Sequence, residues 1–293
     1  MATVSRPRRS VLYMPGSNTR ALEKARTLAA DGLILDLEDA VAPDAKVEAR
    51  ANVVAAAGSY GQREVLIRVN GLNTAWGHDD IAAAAASDAH GILLPKVESA
   101  DAVRMAEAIM VNAGARPDMA IWCMMETPLG ILHAEEIAAA SPRMGGFVMG
   151  TSDLAKDLHA EHTAMRLPFV TSLGLCMLAA RAYGLAILDG VYLNLTDDEG
   201  FAAACAQGRE FGFDGKTLIH PKTIDAANTA FAPSEAEVAW SRKIIDAHAA
   251  ATAEGKGVVV VDGKLVENLH VVNARRLVAL ADQIETLKAD MAG

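Results

Sequence analysis

Aromatic side chains make up only 4% of this chain, although hydrophobic residues reach 52%. Much of the difference is alanine, which points to close helix packing rather than a sandwich built on large rings. Cysteine is equally sparse. Cys123, Cys176 and Cys205 are scattered, so they form neither a metal-type pair nor a disulfide framework, and they fit a reducing compartment. No apolar stretch reaches membrane-spanning length. The start, MATVSRPRRS, is basic, but the apolar run after it is too short for a signal peptide. No basic run is long enough to track a phosphodiester backbone, and the formal net charge of −10 speaks against nucleic acid. Local basic residues remain available for a small anion. The expectation is a soluble cytoplasmic protein with neither membrane nor nucleic acid as partner.

Short β-type runs alternate with longer Ala-rich helical stretches. The runs are SVLYMPG (10–16), GLILDLEDA (32–40), EVLIRVNG (64–71), GILLPKVES (91–99), AIWCMMET (120–127), GGFVMGTSDL (145–154), AILDGVYLNL (186–195) and GKTLIHP (215–221). Their apolar residues are near-continuous, as in parallel strands buried on both faces. Eight β-α units in about 230 residues predict an α/β fold, a TIM (β/α)8 barrel spanning 1–229. A doubly wound open sheet is the alternative, weakened because no G-x-G-x-x-G follows the first strand. Residues 230–293 read differently: a long amphipathic helix, a short hairpin turning at Asp-Gly (VVVVDGKLVE) and a final helix. This C-terminal extension could fold back over the barrel or reach a neighbouring subunit.

In a TIM barrel the C-terminal ends of the strands carry the active site. The segments there end in polar residues: Asp36, Glu38 and Asp39; Arg68 and Asn70; Lys96 and Glu98; Glu126; Asp153; and His220, with Asp189 inside the seventh. Glu126 stands alone after an apolar run, in MMETPLG. Carboxylates such as Glu126 and Asp153 on adjacent strands suit Mg²⁺, which takes one or two protein carboxylates and leaves its other positions to water and substrate oxygens. Arg68 could clamp a substrate carboxylate bidentately. Each residue also has a plainer role open to it. Glu126 and Asp153 could cap the helices that follow them. Asp36, Glu38, Asp39 and Arg68 could form salt bridges under the mouth, and His220 could bond backbone. His159 and His162 read as solvated helix residues, and Met124, Met125 and Met149 as core. After the first strand, PGSNT turns into a helix on which Arg20 and Lys24 share a face. That is a plausible phosphate site or an ordinary cap with solvated cations.

Taken together and in order, SVLYMPGSNTRALEKA, LILDLEDAVAPDAK, IRVNG, ILLPKVE, MMETPLG, MGTSDLA, ILDGVY and GFDGKTLIHP resemble the citrate lyase β-subunit-like family (HpcH/HpaI aldolase/citrate lyase), which includes malyl-CoA and citramalyl-CoA lyases. The resemblance covers nearly the whole chain. It implies a TIM barrel with a C-terminal extension, assembled as a homotrimer or dimer of trimers. It implies Mg²⁺, or Mn²⁺ in its place, on Glu126 and Asp153, a substrate acid near Arg68, and Asp36, Glu38 and Asp39 around the metal. Arg20, Lys24 and Lys96 fall where the family contacts coenzyme A. Lyases of this kind carry Gly-Lys/Ser-Met-Ile-Asp in the tail, with the Asp reaching the neighbouring subunit's active site. Here GKLVENLH puts Glu267 in that position, longer by one methylene. A shift of about 1 Å can change which atom a catalytic group addresses.

The stretches DGKLVENLH, LGLCMLAARAYGL and DGVYLNLTDDEG look more like the malyl-CoA thioesterase branch. The implied substrate is a malyl-CoA-type 3-hydroxyacyl-CoA, with Arg68 and Asp36 at its acid end and Glu267 activating water against the thioester. C–C cleavage by the lyase route is the near rival. Further rivals are a citrate lyase β subunit acting on an acyl-carrier-protein thioester, an aldolase on free keto acids, and an acyl-CoA sensor.

Overall fold

The computed structural model of the chain describes residues 6–292. Eight strands close in sequence order into one barrel: β1 (Ser10–Pro15), β2 (Gly32–Asp36), β3 (Glu64–Arg68), β4 (Gly91–Leu94), β5 (Ala120–Met125), β6 (Met144–Met149), β7 (Ala186–Asp189) and β8 (Gly215–Leu218). All neighbours are parallel, and β1 pairs with both β2 and β8, so the barrel has no open edge. The open-sheet alternative is thereby excluded. The helices between strands are α1 (Thr19–Lys24), α2 (Lys46–Ala56), α3 (Gly77–Ala85), α4 (Ala100–Asn112), α5 (Pro128–Leu132), α6 (Ala134–Ala138), α7 (Thr151–Leu158), α8 (Val170–Ala182) and α9 (Asp198–Phe211), and α10 (Ile224–Phe231) follows β8.

The near-continuous apolar runs serve two layers at once. Val11, Ile34, Leu66, Leu93, Trp122, Met124, Val148 and Leu188 form one cluster that fills the barrel. Their sequence neighbours Leu12, Leu33, Leu35, Ile67, Ile92, Cys123, Phe147 and Ile187 belong to the larger core under the helices. Small alanines such as Ala49, Ala84 and Ala106 let the helices approach closely. Trp122 fills the interior because β6 leaves room for it. A Cβ on Gly145 or Gly146 would overlap the indole, and the pairing slips between Ile121 and Trp122, a bulge that makes Gly145 the extra residue.

This alternation sets up the mouth. Two residues beyond an inward apolar residue comes an inward polar one: Asp36 after Ile34, Arg68 after Leu66, Glu126 after Met124.

Arg8–Phe231 form one compact unit, and the chain from Ala232 belongs to another. In the latter, α11 (Glu235–Ala253) starts at a capping box of Ser234 and Glu237. β9 (Val258–Val261) and β10 (Lys264–Glu267) form an antiparallel hairpin, and α12 (Asn268–Ala292) closes the unit. The hairpin turns at Asp262 and Gly263, with φ of 49° and 76°, the positive pair that a two-residue I′ turn needs. Ile244, Val261, Val266, Val271 and Ala274 are its core. Val260 pairs with Leu265 and Val258 with Glu267, so these four share one face. Val258, Val260 and Leu265 on that face are exposed. Among the described residues no helix is long and apolar enough to cross a membrane.

Candidate active site

Glu126 follows β5 directly and is buried, 2% exposed. It does not cap the next helix. Thr127 does that, its hydroxyl accepting the N–H of Gly130. Oε1 of Glu126 accepts the backbone N–H of Lys96 at 2.7 Å. Oε2 lies against Gly150, where a Cβ would overlap both it and the Glu126 Cβ. The glycine at the end of β6 thus makes the cradle for the acid at the end of β5. Burial pushes the Glu126 carboxyl up to about 7, with the Lys96 N–H and ammonium opposing and Glu38 and Asp153 adding to the rise.

Asp153 stands in the first turn of α7. Gly150 is the N-cap there, and no side chain makes the capping bond. Asp153 is partly exposed, with Lys156 Nζ at 3.6 Å.

The ends of β2, β3 and β4 form a second cluster. Arg68 is held by Asp36 through two bonds, Nε to Oδ1 at 2.7 Å and Nη2 to Oδ2 at 2.6 Å. Asp36 also accepts the N–H groups of Glu38 and Ala40, so all of its acceptor directions are used within the fold. Arg68 Nη1 is 2.9 Å from Glu38 Oε2 and 3.7 Å from Asp39 Oδ2. Its guanidinium stacks over Tyr13, 4.9 Å from the ring centre. Burial alone would lower the Arg68 pKa; the Asp36 bond and charge outweigh it and keep the group cationic. Burial raises the Glu38 carboxyl, against the pull of Arg68 and Lys96. Glu38 Oε1 accepts Lys96 Nζ at 2.6 Å. Burial would lower Lys96, but that bond brings it to about 12. Behind the cluster, buried Lys46 donates to the carbonyls of Leu37 and Glu38 and pins the loop after β2. A cavity of about 670 Å³ opens beside it, lined by Glu38, Asp39, Lys46, Asn70, Asn73, Lys96 and Glu98 with Val41, Leu72, Leu94 and Val97.

Other residues singled out in the sequence lie elsewhere. Asp189 does not face the mouth: it follows inward Leu188 and points out toward α9, bound to Arg166 Nη1 at 2.6 Å and Lys216 Nζ at 2.8 Å. Asn70 is buried against Asp80 and the Leu37 carbonyl. His220 accepts the N–H of Lys222 and caps the turn after β8. His159 and His162 are exposed but stand beyond α7 rather than in a helix: His159 ends it at a φ of 52°, and the His162 ring packs 5.2 Å from Phe169. Arg20 and Lys24 are exposed on α1. Lys96, expected at coenzyme A, has its ammonium paired with Glu38. Glu267 is half-buried at the end of β10, in the unit that begins at Ala232, with its N–H donating to His270 Nδ1.

Sequence reasoning missed Tyr13, Lys46 and Gly150. Tyr13 sits in an apolar run and reads as core. Lys46 reads as a helix-surface cation. Only the G-T-S-D spacing after β6 hints at Gly150.

Residues 9–221 match the family described as HpcH/HpaI aldolase/citrate lyase. The chain belongs to the HpcH/HpaI aldolase/citrate lyase family. Within it, the chain is 52% identical to a (3S)-malyl-CoA thioesterase of Cereibacter sphaeroides, over 99% of this chain and 100% of that protein. It is 34% identical to an L-malyl-CoA/β-methylmalyl-CoA lyase of the same species, over 97% of both. Among solved structures, the CitE protein of Mycobacterium tuberculosis in complex with magnesium, acetoacetate and coenzyme A matches with a TM-score of 0.73 and 28% identity, over 96% of this chain and 100% of that one.

Family members are thus seen with magnesium, and the residues here fit such an ion. Glu126 is buried with Oε2 accepting no hydrogen bond among the described residues. Asp153 is free of capping duty, and the two acids sense each other's charge. No group of three or more His, Cys, Asp or Glu gathers as a metal cage among the described residues. Two carboxylates and open positions match Mg²⁺ rather than structural zinc.

Proposed function

We propose that the chain is a Mg²⁺-dependent thioesterase that hydrolyses a malyl-CoA-type 3-hydroxyacyl-CoA. The full-length 52% identity to a (3S)-malyl-CoA thioesterase carries the choice of reaction. Buried Glu126 and partly exposed Asp153 support the choice of metal. Glu126 and Asp153 would hold Mg²⁺, or Mn²⁺ in its place, and the ion would supply a Lewis acid for the substrate's hydroxyl and carboxylate oxygens.

The rest of the reaction is assigned to this chain's side chains. Arg68, fixed by Asp36 and stacked on Tyr13, orients the carboxylate end of the substrate. Asp36 acts through Arg68 as a positioning residue. Arg20 and Lys24, which hold no ion pair among the described residues, take the phosphates of coenzyme A. Glu267, supplied by a neighbouring copy in a homotrimer or dimer of trimers, accepts a proton from water. The water oxygen attacks the thioester carbonyl, the C–S bond breaks, and the sulfur leaves and is protonated as free coenzyme A. The three cysteines are free and buried, which supports a reducing cytoplasm as the setting.

The lyase reading is kept because a lyase relative matches over 97% of the chain. One tube distinguishes the two. Purified protein is incubated with malyl-CoA and Mg²⁺, and free thiol and glyoxylate are both measured. Hydrolysis gives thiol without glyoxylate. Glyoxylate and acetyl-CoA without thiol would overturn the thioesterase reading in favour of the lyase.

A further inference from the structure

Among the described residues, Lys96 is one of four non-glycine residues with positive φ, at 48°. An L-residue rarely adopts this left-handed conformation without compensation, and such strain gathers where a site needs it. Lys96 follows β4 by two residues, between Pro95 and Val97, and the next turn is packed tightly. A Cβ on Gly130 of α5 would overlap the Val97 carbonyl. Both polar ends of Lys96 are occupied by acids. Its N–H points to Glu126 Oε1 at 2.7 Å, and its ammonium to Glu38 Oε1 at 2.6 Å. Glu38 is in turn 2.9 Å from Arg68.

We propose that Lys96 is a positioning residue: its ammonium, anchored on Glu38, holds the backbone in the left-handed turn that aims its N–H at Glu126 Oε1, so that Oε2 alone is offered to a divalent cation. This rests on the reading of Glu126 as a metal ligand and deepens it. One residue then ties the acid at the end of β5 to the arginine at the end of β3, through Glu38. A carboxylate with one oxygen held by a backbone donor has a fixed orientation and binds through its other oxygen. In this role the ammonium is not a grip for coenzyme A phosphates.

The test is Mg²⁺ binding to the full-length protein by isothermal titration, together with coenzyme A binding in the absence of metal. Lys96→Ala keeps the N–H but loses the anchor, so the left-handed turn is less populated. Mg²⁺ affinity falls by roughly five- to tenfold. Lys96→Gly also lacks the amine, but glycine adopts positive φ without steric penalty. It regains most of the affinity lost in Lys96→Ala. Coenzyme A affinity changes in neither, and melting temperatures report that both variants fold. Equal Mg²⁺ affinities in the Ala and Gly variants would overturn the proposal, because the backbone conformation would then not matter. So would a parallel loss of coenzyme A affinity, which would make the amine a ligand contact. If the wild type itself binds no Mg²⁺, the metal reading falls and takes this one with it.

Discussion

Burial pushes the Glu126 carboxyl up to about 7, and its one direct hydrogen-bond donor among the described residues is the Lys96 N–H. In the apo protein this has a measurable consequence. The folded value lies above the unfolded value of 4.5, so between the two the native state holds a proton that the unfolded chain has released. Stability is therefore greatest below the unfolded value and is lost as pH rises to about 7, by about 3 kcal/mol from this group alone. Glu126→Gln removes that slope. In chelator-treated protein, denaturant unfolding from pH 5 to pH 8 is expected to show the variant gaining on the wild type as pH rises. A constant difference between the two would show that Glu126 is ionised throughout.

What was legible at the residue scale follows from the same alternation. Glu126, Arg68 and Asp36 stand out because an acid or a guanidinium interrupts an apolar run. Asp189 interrupts one too, yet it points outward. In a strand buried on both faces, composition does not say which parity faces in, and one residue decides it. The left-handed backbone of Lys96 left no trace in the sequence, since lysine is not a residue that marks positive φ.

At the scale of elements, β5 and β6 are built as a pair. β6 leaves room for the barrel-filling Trp122 at Gly145 and Gly146, and for the Glu126 carboxylate at Gly150. Gly150 has ordinary negative φ, so the glycine is required by the close approach and not by the backbone. Gly150→Ala forces the Glu126 side chain aside. A loss of about 1–3 kcal/mol is expected from overpacking, with Mg²⁺ affinity falling at least tenfold. Chemical denaturation and calorimetric titration measure the two effects. Wild-type Mg²⁺ affinity in this variant would show that the acid can move without consequence. The eight strands and the D-G hairpin could be placed from sequence because their signals are local: continuous β-type runs, and a turn dipeptide that admits positive φ. Strand ends were less legible. β7 stops at Asp189, although the apolar pattern continues through GVYLNL, because the ladder to β8 covers only Leu188 and Asp189.

At the scale of the whole molecule, the proposed hydrolysis draws residues from both kinds of compact unit, with Glu267 supplied by a neighbouring copy. The barrel carries the acids, the arginine and the exposed cations of α1. The unit beginning at Ala232 carries Glu267, on a hairpin face it shares with exposed Val258, Val260 and Leu265. The sequence pointed to Glu267 only through family resemblance, because a carboxylate at the end of a two-stranded ribbon has no local signature of catalysis. A general base contributes roughly 10²–10⁴ in rate, whereas a surface acid contributes nothing to turnover. The decisive measurement is therefore the initial rate of thiol release from malyl-CoA by Glu267→Ala, at saturating Mg²⁺ with metal affinity checked by titration. A fall of at least about 100-fold in kcat, with Mg²⁺ bound as in the wild type, is the result expected. Full thioesterase rate in Glu267→Ala would contradict the account.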